Sequence, residues 1–123
     1  MKKEYITEDE RRIMKLFGVT KLNNIPRVNN KNLKFYFDFL SKKLTFPIKG
    51  RFRHETGPFK SEIYDVVIKK LDPLYDDFYG LLVEGRSERK KAAVPLVDFE
   101  LDDEDDINFQ LIEDYKSWFC NFR

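Results

Sequence analysis

The sequence holds one cysteine, one histidine and five glycines in 123 residues. A lone thiol, Cys120, excludes an internal disulfide and suits a reducing cytoplasm. One His and one Cys fall short of the ligand set of a structural zinc site. No apolar run approaches the roughly 18 residues of a membrane span. The first ten residues, Met1 to Glu10, carry no apolar stretch of the kind a signal peptide needs, so none is expected and a cytoplasmic location is. Phosphate-cradling glycine loops, paired-histidine zinc motifs, nucleophile elbows and paired CxxC units are all missing. No serine or cysteine stands in a positional relation to His54, so no catalytic residue is assigned and an enzyme is not expected.

What the chain has is aromatic bulk and charge. Twelve Phe, six Tyr and one Trp can bury a sizeable core, and 41% of residues are hydrophobic. Charged residues make up 37%, well above the usual quarter. The net charge of +1 conceals a polarity. Residues 1–60 carry 15 Lys and Arg against 6 Asp and Glu, and residues 61–123 carry 8 against 16. The halves are thus +9 and −8, which lets one end attract anions and the other cations, or lets the two compensate within the fold.

A single α+β domain over 1–123 is expected, with a helical part at 1–44, a β part at 45–101 and a terminal helix at 105–120. Thr7 and Glu10 form a capping box, and Gly18 suits a helix end, which predicts a helix over 8–17. Asn30 can cap a second helix at roughly 31–43, whose apolar stripe Leu33, Tyr36, Phe37, Leu40 and Leu44 is widened by Phe35 and Phe39. That width predicts a helix covered on two sides. Phe46, Ile48 and Phe52 interleave with Lys49, Arg51 and Arg53, the pattern of a half-buried strand. His54 to Pro58 reads as a loop, Ile63 to Leu71 as a strand, Asp72 to Asp77 as a loop and Phe78 to Glu84 as a strand. Lys90 to Val97 returns as a hairpin partner that Phe99 and Leu101 can continue. The strands predict a small antiparallel sheet or a partly closed SH3-like barrel. The final helix is expected to bury Ile107, Leu111, Ile112, Tyr115, Trp118 and Phe119.

Between the last strand and that helix, Asp102, Asp103, Glu104, Asp105 and Asp106 are consecutive, preceded by Asp98 and Glu100. Adjacent carboxylates repel one another unless solvated, set at a helix N-terminus or neutralised by a cation. One or two of them suffice for a helix cap. The rest form an oxygen-rich set that suits calcium, which takes six to eight oxygens in flexible geometry. Asp98, Glu100 and Asp102 to Asp106 are therefore candidate ligands, with Asp72, Asp76 and Asp77 added if the sheet brings their loop alongside. The run is not an EF-hand: counted from Asp102, the turn position that needs glycine is Ile107.

Three stretches carry a family likeness: Leu44-Thr45-Phe46-Pro47-Ile48 after a helix, Val94-Pro95-Leu96-Val97-Asp98-Phe99-Glu100, and the helix from Asn108 to Asn121 with Asp114-Tyr115 and Trp118-Phe119. Together they resemble the small CcbP-type calcium-binding proteins first known from cyanobacteria, over roughly Asn29 to Arg123. The resemblance implies a calcium-binding buffer or sensor. Its motifs are framework and assign no ligand. The alternative is a non-enzymatic interaction module whose basic half docks an acidic protein partner. Lys34, Lys42, Lys43, Lys49, Arg51, Arg53 and Lys60 form a patch in that half, but the acidic half and the lack of a recognition motif argue against nucleic acid.

Overall fold

A computed structural model describes residues 5–88 and 90–123, with the side chains at 54–56 outside the description. Helix α1 (Glu8–Phe17) starts where expected. The Thr7 hydroxyl accepts from the Glu10 N–H, and Glu10 accepts from the Thr7 N–H. Gly18 ends it with a left-handed φ of 71°, which a side chain would resist. Helix α2 (Asn30–Lys43) begins one residue earlier than predicted because Asn29, not Asn30, caps it. A 3₁₀ turn at Leu22–Asn24 lies in the connection between them.

Five antiparallel strands follow: β1 (Ile48–Gly57), β2 (Lys60–Asp76), β3 (Gly80–Ser87), β4 (Lys90–Pro95) and β5 (Phe99–Leu101). Their order is β4-β3-β2-β1-β5, and the sheet is not closed. Helix α3 (Ile107–Asn121) completes the fold.

The strands outrun their sequence signals in three places. The stretch 54–57, expected as a loop, belongs to β1, which pairs with β2 almost to the turn at Pro58 and Phe59. The expected loop from Asp72 belongs to β2 as far as Asp76. A register shift between Leu71 and Tyr75 accommodates Pro73, which has no N–H for the ladder, and Asp72 accepts from the Leu74 N–H at 2.8 Å. The third departure is topological. Phe99 to Leu101 does not continue β4; a 3₁₀ turn at Leu96–Asp98 carries the chain to the opposite edge, where β5 pairs with β1. Three residues can bridge two edges only if the sheet curls strongly, yet no ladder joins β4 to β5.

Alternation along the strands gives the sheet a dry face and a wet one. Ile48, Val66, Ile68, Val83, Val94, Phe99 and Leu101 are buried in the core cluster with residues of all three helices. The opposite face is charged. Lys49 pairs with Val67, Val67 with Arg86 and Arg86 with Lys91, a cross-strand row four strands wide.

Aromatic rings lock the helices. Tyr36 of α2 lies 5.1 Å from Trp118 and 5.2 Å from Tyr115, both on α3, and Phe17 of α1 lies 5.6 Å from Trp118. The Tyr115 hydroxyl accepts from the Leu81 N–H at 2.8 Å, tying α3 to β3. Burial holds both the Tyr36 and the Tyr115 phenols protonated well beyond their ordinary range. Two expected core residues are corrections. Ile107 is 74% exposed: as the first helical residue it adjoins the exposed acidic turn, at the end of the apolar stripe. Phe35 is 45% exposed, so α2 is not covered along the whole of its wide stripe.

Candidate metal centre

The acidic turn is anchored on both sides. Upstream, Phe99 and Leu101 of β5 are buried, while Glu100 stands opposite Arg51 on the wet face. The Asp102 N–H donates to the Lys49 carbonyl at 3.3 Å, extending the pairing by one residue. Downstream, buried Asn108 clamps Thr45: its Oδ1 accepts from the Thr45 N–H at 2.8 Å, and its Nδ2 donates to the Thr45 carbonyl at 2.9 Å. This fixes the first turn of α3 to the connection between α2 and β1.

Between these anchors the chain reverses. The Asp106 N–H donates to the Asp103 carbonyl at 3.1 Å. Asp103 Oδ1 accepts from the Asp105 N–H at 2.9 Å, an Asx turn. Asp106 Oδ1 accepts from the Asn108 N–H at 2.7 Å and caps α3, so the helix begins one or two residues later than expected. Asp102 Oδ1 lies 3.3 Å from Arg51 Nε, with both side chains about half exposed. Three carboxylates therefore spend one oxygen each and keep the other. Glu104 and Asp105, both exposed, form no hydrogen bond or ion pair among the described residues.

These donors fit a hard cation in kind: all are oxygens, several are unspent, and their charges crowd one turn. They do not form a preassembled cage. Among the described residues, no group of three or more His, Cys, Asp or Glu side chains is gathered around a common point. A bound ion would have to draw Asp103, Glu104 and Asp105 inward.

The other candidates lie elsewhere. Asp98 closes the 3₁₀ turn at the far end of β5, about 13 Å from Asp102 along extended chain. Asp72, Asp76 and Asp77 belong to the β2–β3 hairpin at the opposite end of α3. There Arg123 donates to the Asp77 and Phe78 carbonyls at 3.2 and 3.1 Å. The 15 residues of α3 span about 22 Å, too far for one ion to engage both acidic groups. Asp76 spends Oδ1 on the Phe78 and Tyr79 N–H groups, shaping its own turn.

Sequence reasoning missed Arg51 as a neighbour of the acidic turn. Its signal was the alternation of Lys49, Arg51 and Arg53, which placed cations on one strand face without showing which strand would flank them.

Comparisons with known proteins bear on the fold and the family. A solved structure, described as the crystal structure of Anabaena CcbP, superposes with a TM-score of 0.65 at 17% identity, covering 96% of this chain and 94% of that one. At that identity the likeness shows the fold. No curated protein matches the chain. The CcbP family model, described as calcium binding, matches residues 26–119, from the connection after α1 almost to the end of α3. On that match the chain belongs to the CcbP family of calcium-binding proteins.

Proposed function

We propose that this chain binds calcium on the turn Asp102 to Asp106, assisted by Glu100, as a low-affinity cytoplasmic buffer or sensor without enzymatic activity. The observation that carries the reading is the doubly anchored turn, whose five adjacent carboxylates keep oxygens free. A divalent cation relieves their mutual repulsion, and this supplies the driving force. Because the ligands must be gathered, an apparent Kd of about 10⁻⁵ to 10⁻³ M is expected. Magnesium competes poorly, since it demands near-ideal octahedral geometry and dehydrates reluctantly. Arg51 acts as an internal competitor for Asp102.

Calcium titration followed by amide NMR tests this, with the melting temperature measured in parallel. Calcium at about 100 times Kd should stabilise the fold by about 2.7 kcal/mol if it binds only the native state. Asp103→Asn with Asp105→Asn should weaken binding without unfolding the chain, because the amide oxygen of an asparagine at position 103 can still accept from the backbone. Arg51→Gln should tighten it. If millimolar calcium leaves the amide shifts of residues 98–108 and the melting temperature unchanged, the calcium reading fails.

A second reading, a docking face for an acidic protein, is favoured by the row from Lys49 through Val67 and Arg86 to Lys91. Only Lys70 and Arg51 on this side of the sheet form ion pairs among the described residues, with Glu84 and Asp102. Attraction at such a face should weaken steeply with salt. Arg86→Glu with Lys91→Glu should abolish retention of the protein on polyglutamate at low ionic strength. Undiminished retention would remove this reading.

A further inference from the structure

Helices α1 and α2 both pack on α3 and leave a half-open groove of about 590 Å³ between them. Its lining is apolar where the helices meet: Leu16 of α1, Phe35 and Phe39 of α2, and Leu111 of α3. Phe17 stacks on Phe35 at 5.1 Å and braces that wall. The volume lies within the roughly 300–1,000 Å³ that small-molecule sites occupy.

Three polar features mark the groove as more than a packing gap. Asp114 is already neutralised: Arg12 binds it through two nitrogens at 2.7 and 3.1 Å, and Gln110 donates to it at 2.9 Å. Lys15 and Lys43 line the groove, are exposed, and form no ion pair among the described residues. Tyr36 is only 1% exposed, yet its hydroxyl forms no hydrogen bond among the described residues. No fully enclosed side-chain polar atom among those residues lacks a partner, so this hydroxyl keeps a narrow access, and Tyr36 lines the groove. The groove thus offers apolar surface, a hydrogen-bond donor from its floor and uncompensated positive charge.

We propose that this groove binds a small amphiphilic acid, a single-tailed aliphatic carboxylate. Its chain lies on Leu16, Phe35, Phe39 and Leu111, and its head is drawn to Lys15 and Lys43. Charge selects the occupant. A neutral apolar ligand leaves both lysines unanswered, and a cation is repelled by them. Apolar burial supplies the affinity, and the lysines and Tyr36 supply the preference for an oxyanion. The site lies on the helical side of the molecule and does not depend on the acidic turn.

The test is titration of the isotope-labelled full chain with sodium decanoate, in EDTA so that calcium plays no part, followed by amide NMR. Decanoate should produce saturable shifts at Leu16, Phe35, Phe39 and Leu111, and decanol should bind more weakly. Lys15→Glu with Lys43→Glu, both exposed and therefore compatible with folding, should weaken decanoate binding about tenfold while leaving decanol binding unchanged. Absence of saturable shifts at these residues overturns the proposal. So does equal binding of decanol and decanoate, or decanoate binding unaffected by the charge reversal. Saturation by an acidic amphipathic helical peptide without any response to decanoate would also overturn it, reassigning the groove to a protein partner.

Discussion

Replacing Trp118 with alanine is expected to lower the free energy of unfolding by about 3–5 kcal/mol. The indole is completely buried in the last turn of α3. It meets rings from α1, α2 and its own helix, where Tyr115 lies at 6.2 Å. Its Nε1–H donates to the Pro26 carbonyl at 2.9 Å, fixing the loop that leads into α2. Truncation therefore removes apolar burial, opens a cavity between three helices and leaves that carbonyl without its partner. Domains of this size are stable by only about 5–15 kcal/mol, so the loss is a large share of the whole. Urea unfolding monitored by far-UV circular dichroism measures it. Cys120→Ala, two residues along the same helix but exposed, is the control and should stay within about 0.5 kcal/mol of the parent. A Trp118→Ala loss no larger than that control would show that the aromatic cluster does not hold the helices.

What was legible in the sequence follows a physical divide between local and non-local causes. The bounds of α1 could be read because Thr7, Glu10 and Gly18 act within a turn or two of themselves. The capping of α3 by the acidic run was equally local, and Asp106 performs it. The reach of β2 through Asp72 and Pro73 was not legible, because β3 decides it from across a bulge. The move of β5 to the far edge rests on a 3₁₀ turn that carries little composition signal. Ile107 shows the limit of periodicity: it obeys the helical spacing of the buried stripe, but spacing does not reveal where burial along that stripe ends. The same divide runs through the candidate site. Five adjacent carboxylates are plain to read, whereas Arg51 enters their company only through the pairing of β1 with β5. Placing the two acidic groups at opposite ends of α3 likewise needed the tertiary path of the chain.

Gly50→Ala is expected to destabilise the fold by about 1–3 kcal/mol and to loosen the acidic turn with it. Gly50 is buried in β1, opposite Val66 on one side and Leu101 on the other. A Cβ there would sit 2.2 Å from the Glu100 carbonyl oxygen and 2.5 Å from the Phe99 ring. Neither neighbour can yield easily. The carbonyl is backbone, and Phe99 is fully buried in the core. The strand that must give way is β5, which has only three paired residues. If β5 moves off β1, the Asp102 N–H loses the Lys49 carbonyl, and the turn keeps only its Asn108 anchor. Calcium binding at Asp102 to Asp106 should then weaken, because the ion must order a longer free segment before its ligands converge. Gly57→Ala in the same strand is the control, since a Cβ there meets nothing within 4 Å and the backbone is not in the left-handed region. It should be neutral or slightly stabilising. Urea midpoints of the two variants and calcium titrations of each, followed at the amides of residues 98–108, provide the comparison. Equal stability with unchanged calcium affinity in Gly50→Ala would show that the β1–β5 contact neither supports the fold nor positions the turn.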